Sequence, residues 1–136
     1  MKKKLILVFT LLLVFTAGCS TSGPAADTEK SSPTFHQISQ VEAKEMMAKD
    51  DGHVVVDVRR QDEYDAGHIP GAILVPNESI GCDSPEALPD YDQIILIYCR
   101  TGNRSKQAAQ KLASMGYTNI YEFGGITTWT GDVVTD

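Results

Sequence analysis

The chain has 136 residues, 42% of them hydrophobic and 22% charged, with a formal net charge of −6. That apolar share supports one small core, and the length fits one domain. The acidic balance repels polyanions at long range, so no nucleic-acid partner is expected.

The first residues form a separate unit. Lys2, Lys3 and Lys4 make a basic start, Leu5 to Phe15 an apolar run, and Thr16-Ala17-Gly18 a small-residue end before Cys19. The run has secretory-signal length and is short for a membrane span. The segment resembles the lipobox of bacterial lipoproteins, with Thr16 where Leu is usual. The resemblance implies a signal peptide over 1–18, diacylglycerol on the Cys19 sulfur, and a protein tethered outside the cytoplasmic membrane, in the cell envelope. An ordinary signal peptide or an uncleaved anchor is the alternative. Residues 19–34 are rich in Ser, Thr, Ala and Pro without apolar pattern, and read as a flexible tether. Residues 35–136 form the domain, which shows no internal repeat.

Along the domain, 35–39 predicts a short strand ending at Ser39, a plausible N-cap. Residues 41–50 predict a helix with Val41, Ala43, Met46, Met47 and Ala48 inward. Asp51-Gly52 breaks it. HVVVDVR (53–59) is a β-branched run of the kind buried on both faces of a parallel sheet. A helical turn over 60–67 stops at Gly67, and 72–76 predicts another strand. Residues 77–92 are polar and turn-rich. IILIYC (94–99) is the most apolar strand, expected at the centre. Asn103 to Gly116 predicts an amphipathic helix with Ala108, Ala109, Leu112 and Met115 inward and Gly116 as C-cap. A last strand covers 119–125, before a final turn. The alternation predicts an α/β fold: a mainly parallel five-stranded sheet with helices on both faces.

Ligands of such sheets bind beyond the carboxyl ends of the strands. Asp57-Val58-Arg59, the segment from Cys99 to Ser105, and Gly124-Gly125 fall there. Cys99 ends a strand, and a helix must start within a few residues. Gly102 permits the turn. A tight strand-to-helix loop aims successive N–H groups inward, making an anion nest at the positive end of a helix. Such a nest favours thiolate over thiol, so Cys99 is expected to be a nucleophile. With the lysines of positions 2–4 set aside, nine basic residues face eighteen acidic ones. Five of the nine (Arg59, Arg60, Arg100, Arg104, Lys106) cluster around two strand ends. A local cationic pocket on an acidic body suits a small anion.

Asp57-Val58-Arg59, Glu63-Tyr64, Gly67-His68-Ile69-Pro70-Gly71-Ala72, Cys99-Arg100-Thr101-Gly102-Asn103-Arg104-Ser105, Gly124-Gly125 and Trp129 together resemble a single-domain rhodanese. The resemblance spans 35–131 and implies a sulfurtransferase of rhodanese-like fold. Cys99 would take a sulfane sulfur from a donor such as thiosulfate, become a persulfide, and pass the sulfur to cyanide or a thiol. Main-chain amides of 100–105 would cradle it, spanning Arg100, Thr101, Gly102, Asn103, Arg104 and Ser105. Arg100 and Arg104 would orient the anionic donor. Asp57 and Arg59 are expected to brace the loop from below. His68 reads as a turn residue satisfying backbone groups, Glu63 and Tyr64 as structural, and Trp129 with the glycine pair as packing and close approach.

Two rivals exist. Cysteine-dependent phosphatases and arsenate reductases place five residues between Cys and Arg; four lie between Cys99 and Arg104, which shrinks the nest. Non-catalytic docking modules of this fold usually lack the cysteine. A redox or sulfur-carrier role lies between, with Cys82 as a resolving thiol closing on Cys99; the simpler reading of Cys82 is an inert loop cysteine. No metal site and no cofactor are expected, because the three histidines are scattered and no CxxC is present. A monomer is the default expectation.

Overall fold

A computed structural model describes residues 33–135. The expected signal peptide, the lipidated Cys19 and the tether up to residue 32 lie outside the described residues. Five strands, β1 (His36–Gln37), β2 (Val54–Asp57), β3 (Ile73–Leu74), β4 (Ile95–Cys99) and β5 (Ile120–Gly125), form one sheet in the order β1-β5-β4-β2-β3. Every pairing is parallel. The helices are α1 (Gln40–Met47), α2 (Gln61–Asp65) and α3 (Asn103–Met115), with 3-10 turns at Asn77–Ser79 and Ile126–Thr128.

The IILIYC run takes the central place because all five residues of β4 are buried. Alternate side chains of β4 serve two cores. Ile95, Ile97 and Cys99 face α3, where they pack with Ala108, Ala109 and Leu112. Leu96 and Tyr98 point to the other face, with Ala43 of α1, Phe123 and the partly buried Met46, Met47 and Tyr64. Helices therefore cover both faces. Each fully buried Ile or Leu contributes about 1.5–3 kcal/mol relative to exposure.

The helix ends follow local chemistry. Ser39 caps α1 in a full capping box: its Oγ accepts from Glu42 N at 3.1 Å, and Glu42 Oε2 accepts from Ser39 N at 2.7 Å. Such a cap is worth about 1 kcal/mol. Gly116 closes α3 at φ +106°. Two helix-face expectations are corrected: Val41 is 67% exposed and Ala48, at the C-cap, is exposed too, because Ala43, Met46 and Met47 alone fill the stripe of α1 that meets the sheet. The strands at both sheet edges are shorter than the sequence suggests. β1 and β3 each hold two residues in the ladder, since each has a partner strand on one side only.

The ladder between β4 and β5 carries a slip that shapes the site. Ile97 pairs with Glu122, but Cys99 pairs with Gly125, so β5 spends three residues where β4 spends two. Gly124, at φ +92°, absorbs the extra residue.

Candidate active site

Cys99 is the last residue of β4 and 1% exposed. The chain then reverses through Arg100, Thr101 and Gly102, and α3 begins at Asn103. Gly102 sits at φ +104°, where a side chain would strain the backbone. In this position its N–H points back at the sulfur and donates to Cys99 Sγ at 3.0 Å. Burial alone pushes the Cys99 thiol up. The Ser105 hydroxyl and amide and the amides of Gly102 and Thr101 outweigh it, leaving the thiol below its ordinary range. The expected nest is thus present, and its sulfur is shifted toward thiolate by dipoles.

The loop is pressed into shape from the β5 side. A Cβ added to Gly125 would lie 2.6 Å from Thr101 Cα and closer still to the Arg100 carbonyl oxygen. Only glycine allows that approach. The Arg100 carbonyl accepts from Thr127 N at 3.2 Å and from Thr127 Oγ1 at 3.0 Å. In a planar trans peptide the N–H points away from the C=O. Holding the Arg100 carbonyl outward therefore turns the Thr101 amide inward.

The charges are distributed differently from the sequence expectation. Arg104 donates to Glu63 through Nη1 at 2.6 Å and Nη2 at 2.8 Å, a bidentate pair. That guanidinium binds α3 to α2. The Arg104 hydrogen bonds hold the Glu63 carboxyl down at about 2, against an upward push from burial. Arg59 is likewise occupied. It donates to Asp57 through its amide, Nε and Nη2, the last at 2.6 Å, and Nη2 also reaches the Gly67 carbonyl at 2.7 Å. Asp57 is fully buried and Arg59 5% exposed, so this pair braces β2 against the turn at Gly67. Arg60 stands 3.8 Å from Asp62 and 3.7 Å from Glu63. Among the described residues, only Arg100 and Lys106 of the five clustered cations lack an acidic partner. Both are exposed, as are Thr101 and Asn103.

His68 sits as the turn reading expects. It is buried, its backbone pairs with Val134, its Nδ1 lies 3.0 Å from the Tyr64 carbonyl, and its ring stacks on Tyr64 at 3.7 Å. Trp129 packs on Phe123, with the Lys44 ammonium over its ring at 5.0 Å. Cys82 and Cys99 are both free thiols. Cys82 is exposed and lines a groove of about 340 Å³ with Gly81, Gln110, Lys111, Ser114 and Met115. Those helix positions begin about two turns beyond the loop, so the groove is separate from the nest. Among the described residues no cluster of three His, Cys, Asp or Glu could hold a metal ion.

One buried group escaped the sequence reading. Glu122, 3% exposed, points its carboxylate at the back of the nest. Its Oε1 accepts from Ser105 Oγ at 2.6 Å and from Gly124 N at 2.9 Å. The signal was available in the alternation Ile120-Tyr121-Glu122-Phe123, which sets Glu122 on the same face as Ile120, toward α3.

A parallel five-stranded sheet with a cysteine nest at the carboxyl end of its central strand defines the rhodanese-like class. The rhodanese-like domain family model matches residues 39–132, and the chain belongs to that family. Among curated relatives, it is 36% identical over 96 residues to thiosulfate sulfurtransferase GlpE of Pseudoalteromonas translucida, covering 70% of this chain and 89% of that one. It is 35% identical over 71 residues to thiosulfate sulfurtransferase PspE of Escherichia coli, covering 52% of this chain and 68% of that one. Among solved structures, a rhodanese with anions from E. coli superposes with a TM-score of 0.57 at 31% identity, covering 62% of this chain and 99% of that one.

Proposed function

We propose that this protein is a sulfurtransferase that carries sulfur as a Cys99 persulfide. The observation that carries the reading is the Gly102 amide at 3.0 Å from the buried Cys99 Sγ, within a loop that also turns the Thr101 and Ser105 amides to it. The thiolate attacks the outer sulfur of thiosulfate. The S–S bond of the donor breaks, and sulfite leaves with its electron pair. The new persulfide sulfur, itself anionic, lies where preorganised N–H dipoles meet charge without reorganisation. Cyanide or a thiolate then attacks that sulfur, and Cys99 departs as thiolate. No general base is invoked, because the amides and the Ser105 hydroxyl already shift the thiol toward thiolate. Arg100 draws in the dianionic donor.

The phosphatase alternative needs the loop arginine turned to an oxyanion. Here Arg104 is held by Glu63 at both nitrogens, which speaks against it. The pattern of residues 1–19 supports a lipid tether that holds the domain in the cell envelope, outside the cytoplasm.

The test is a thiosulfate:cyanide assay on the native chain and on Cys99→Ser. Thiocyanate production is expected to vanish in the serine variant with its circular dichroism unchanged, and mass spectrometry after thiosulfate should show one added sulfur at Cys99. Cys99-dependent turnover of an aryl phosphate, with none of thiosulfate, would reverse the reading. A Cys82–Cys99 disulfide in place of the added sulfur would favour a redox role.

A further inference from the structure

Ser105 stands between two groups that want the same proton. Its hydroxyl carries one hydrogen. Glu122 Oε1 is 2.6 Å away, and the Gly102 carbonyl accepts at 3.0 Å. The same hydroxyl also helps to hold the Cys99 thiol below its ordinary range. Cys99 and Glu122 lie on one face of adjacent strands, the face covered by α3, and Ser105 is fully buried in the first turn of that helix. A short O–H···O bond to a carboxylate is among the stronger hydrogen bonds. While Glu122 holds the hydroxyl proton, the sulfur keeps only the amides. When the thiolate takes it, Glu122 keeps only the Gly124 amide.

We infer that Glu122 is a positioning residue that tunes the reactivity of Cys99 through the Ser105 hydroxyl, the two anions competing for its single proton. The inference rests on the reading of Cys99 as the reacting thiol. A hydroxyl proton held by one acceptor is withheld from the other. Glu122 therefore keeps Cys99 more basic than the amide nest alone would make it. A more basic thiolate is a better nucleophile toward the donor and a poorer leaving group from the persulfide. The carboxylate thus weights the site toward picking sulfur up.

Arg100 and Lys106, exposed and without an acidic partner among the described residues, flank the loop, and the other charges near the pair are held in pairs. Arg104 on α3 favours the thiolate but is paired with Glu63 on α2, and Glu78 in the first 3-10 turn also acts on Arg104. Asp57 and Arg59 at the end of β2 neutralise each other. On the other side of β5, β1 offers Gln37 beside Glu122, and α1 offers Gln40, which donates to the Gly125 carbonyl. Neither is titratable.

The test is the pH dependence of Cys99 alkylation by iodoacetamide in the full chain, read by mass spectrometry of the Cys99 peptide. Glu122→Gln is expected to move the midpoint to lower pH and raise the rate at pH 6 by about three- to tenfold, an acceleration that mere loosening of the nest would not give. In a Ser105→Ala background the same substitution is expected to shift the midpoint less, because the shared hydroxyl is gone. A midpoint that stays or rises in a folded Glu122→Gln protein overturns the inference, as does an undiminished shift without the hydroxyl. Should Glu122→Gln not fold, Glu122→Asp retracts the carboxylate from Ser105 and is expected to lower the midpoint as well; an unmoved or raised midpoint there also overturns it. Alkylation needs neither donor nor acceptor, so failure of the sulfur-transfer reading shows in the thiocyanate assay alone.

Discussion

Arg104 grips Glu63 through both terminal nitrogens, at 2.6 and 2.8 Å, although 41 positions separate them along the chain. The pair joins the first turn of α3 to α2, so the end of the loop that carries Cys99 is anchored to the opposite side of the sheet. Glu63→Gln is expected to cost about 1–2 kcal/mol at neutral pH, more than an exposed pair and less than a fully buried one. The sign of its pH dependence is fixed. The folded carboxyl lies at about 2, below its ordinary 4.5. The stabilisation is complete above that ordinary value and disappears as pH falls through the folded one. Urea unfolding at pH 7, 4 and 3 should show the gap between native and variant closing with acid; a constant gap would count against it.

The two loop arginines separate by role. Arg100 is exposed and meets no acidic partner among the described residues, whereas Arg104 is paired with Glu63. Arg100→Ala should leave the unfolding midpoint within about 0.5 kcal/mol of native, as surface substitutions do. It should also reduce kcat/KM for thiosulfate about tenfold, near 1.4 kcal/mol. The salt dependence of that rate should weaken with it. Arg104→Ala should show the reverse balance, with the loss of stability dominant. Kinetics at two ionic strengths beside urea curves distinguish the cases.

Gly125 tests the loop's seating. Its Cα hydrogen occupies the space that a methyl would need, next to Thr101 Cα and the Arg100 carbonyl. Gly125→Ala should push the loop off β5 and turn the Thr101 amide from the sulfur. The alkylation midpoint of Cys99 is then expected to rise and sulfur transfer to fall at least tenfold. Gly102→Ala should cost about 1–2 kcal/mol, because its φ of +104° is unfavourable for alanine. A Gly125→Ala protein with native alkylation and native turnover would contradict this account of the loop.

Asp57 depends on Arg59 for almost everything. It is fully buried, and the guanidinium and amide of Arg59 supply its hydrogen bonds. Arg59→Met strands a buried carboxylate and is expected to cost about 3–5 kcal/mol. The double variant Asp57→Asn with Arg59→Met should recover part of that loss, since no charge is left unpaired. Equilibrium unfolding of the three variants measures it, and additive losses would refute the coupling.

Much of this was readable from residues alone. The β-branched run at 53–59 and the apolar run at 94–99 announce buried parallel strands, and Gly102 marks where the chain must turn. Periodicity placed Ala108, Ala109 and Leu112 inward. It misled at Val41, because spacing defines a face but not the width that a short sheet edge covers. Charge was read less well. Clustering in sequence suggests a free cation at Arg104, whereas Glu63, brought in by the packing of α2, satisfies it. Glu122 was overlooked because its importance comes from a helix that begins beside a different strand.

The slip between β4 and β5 gives the sheet two phases, one fixing Ile97 beside Glu122 and the other fixing Cys99 beside Gly125. A carboxylate behind the nest and a bare backbone beneath it are thus read off different marks of one ruler. Removing or adding a single residue between positions 122 and 125 could keep one alignment but not both. This corner of the fold should accept exchanges of side chain far more readily than any change in the length of β5.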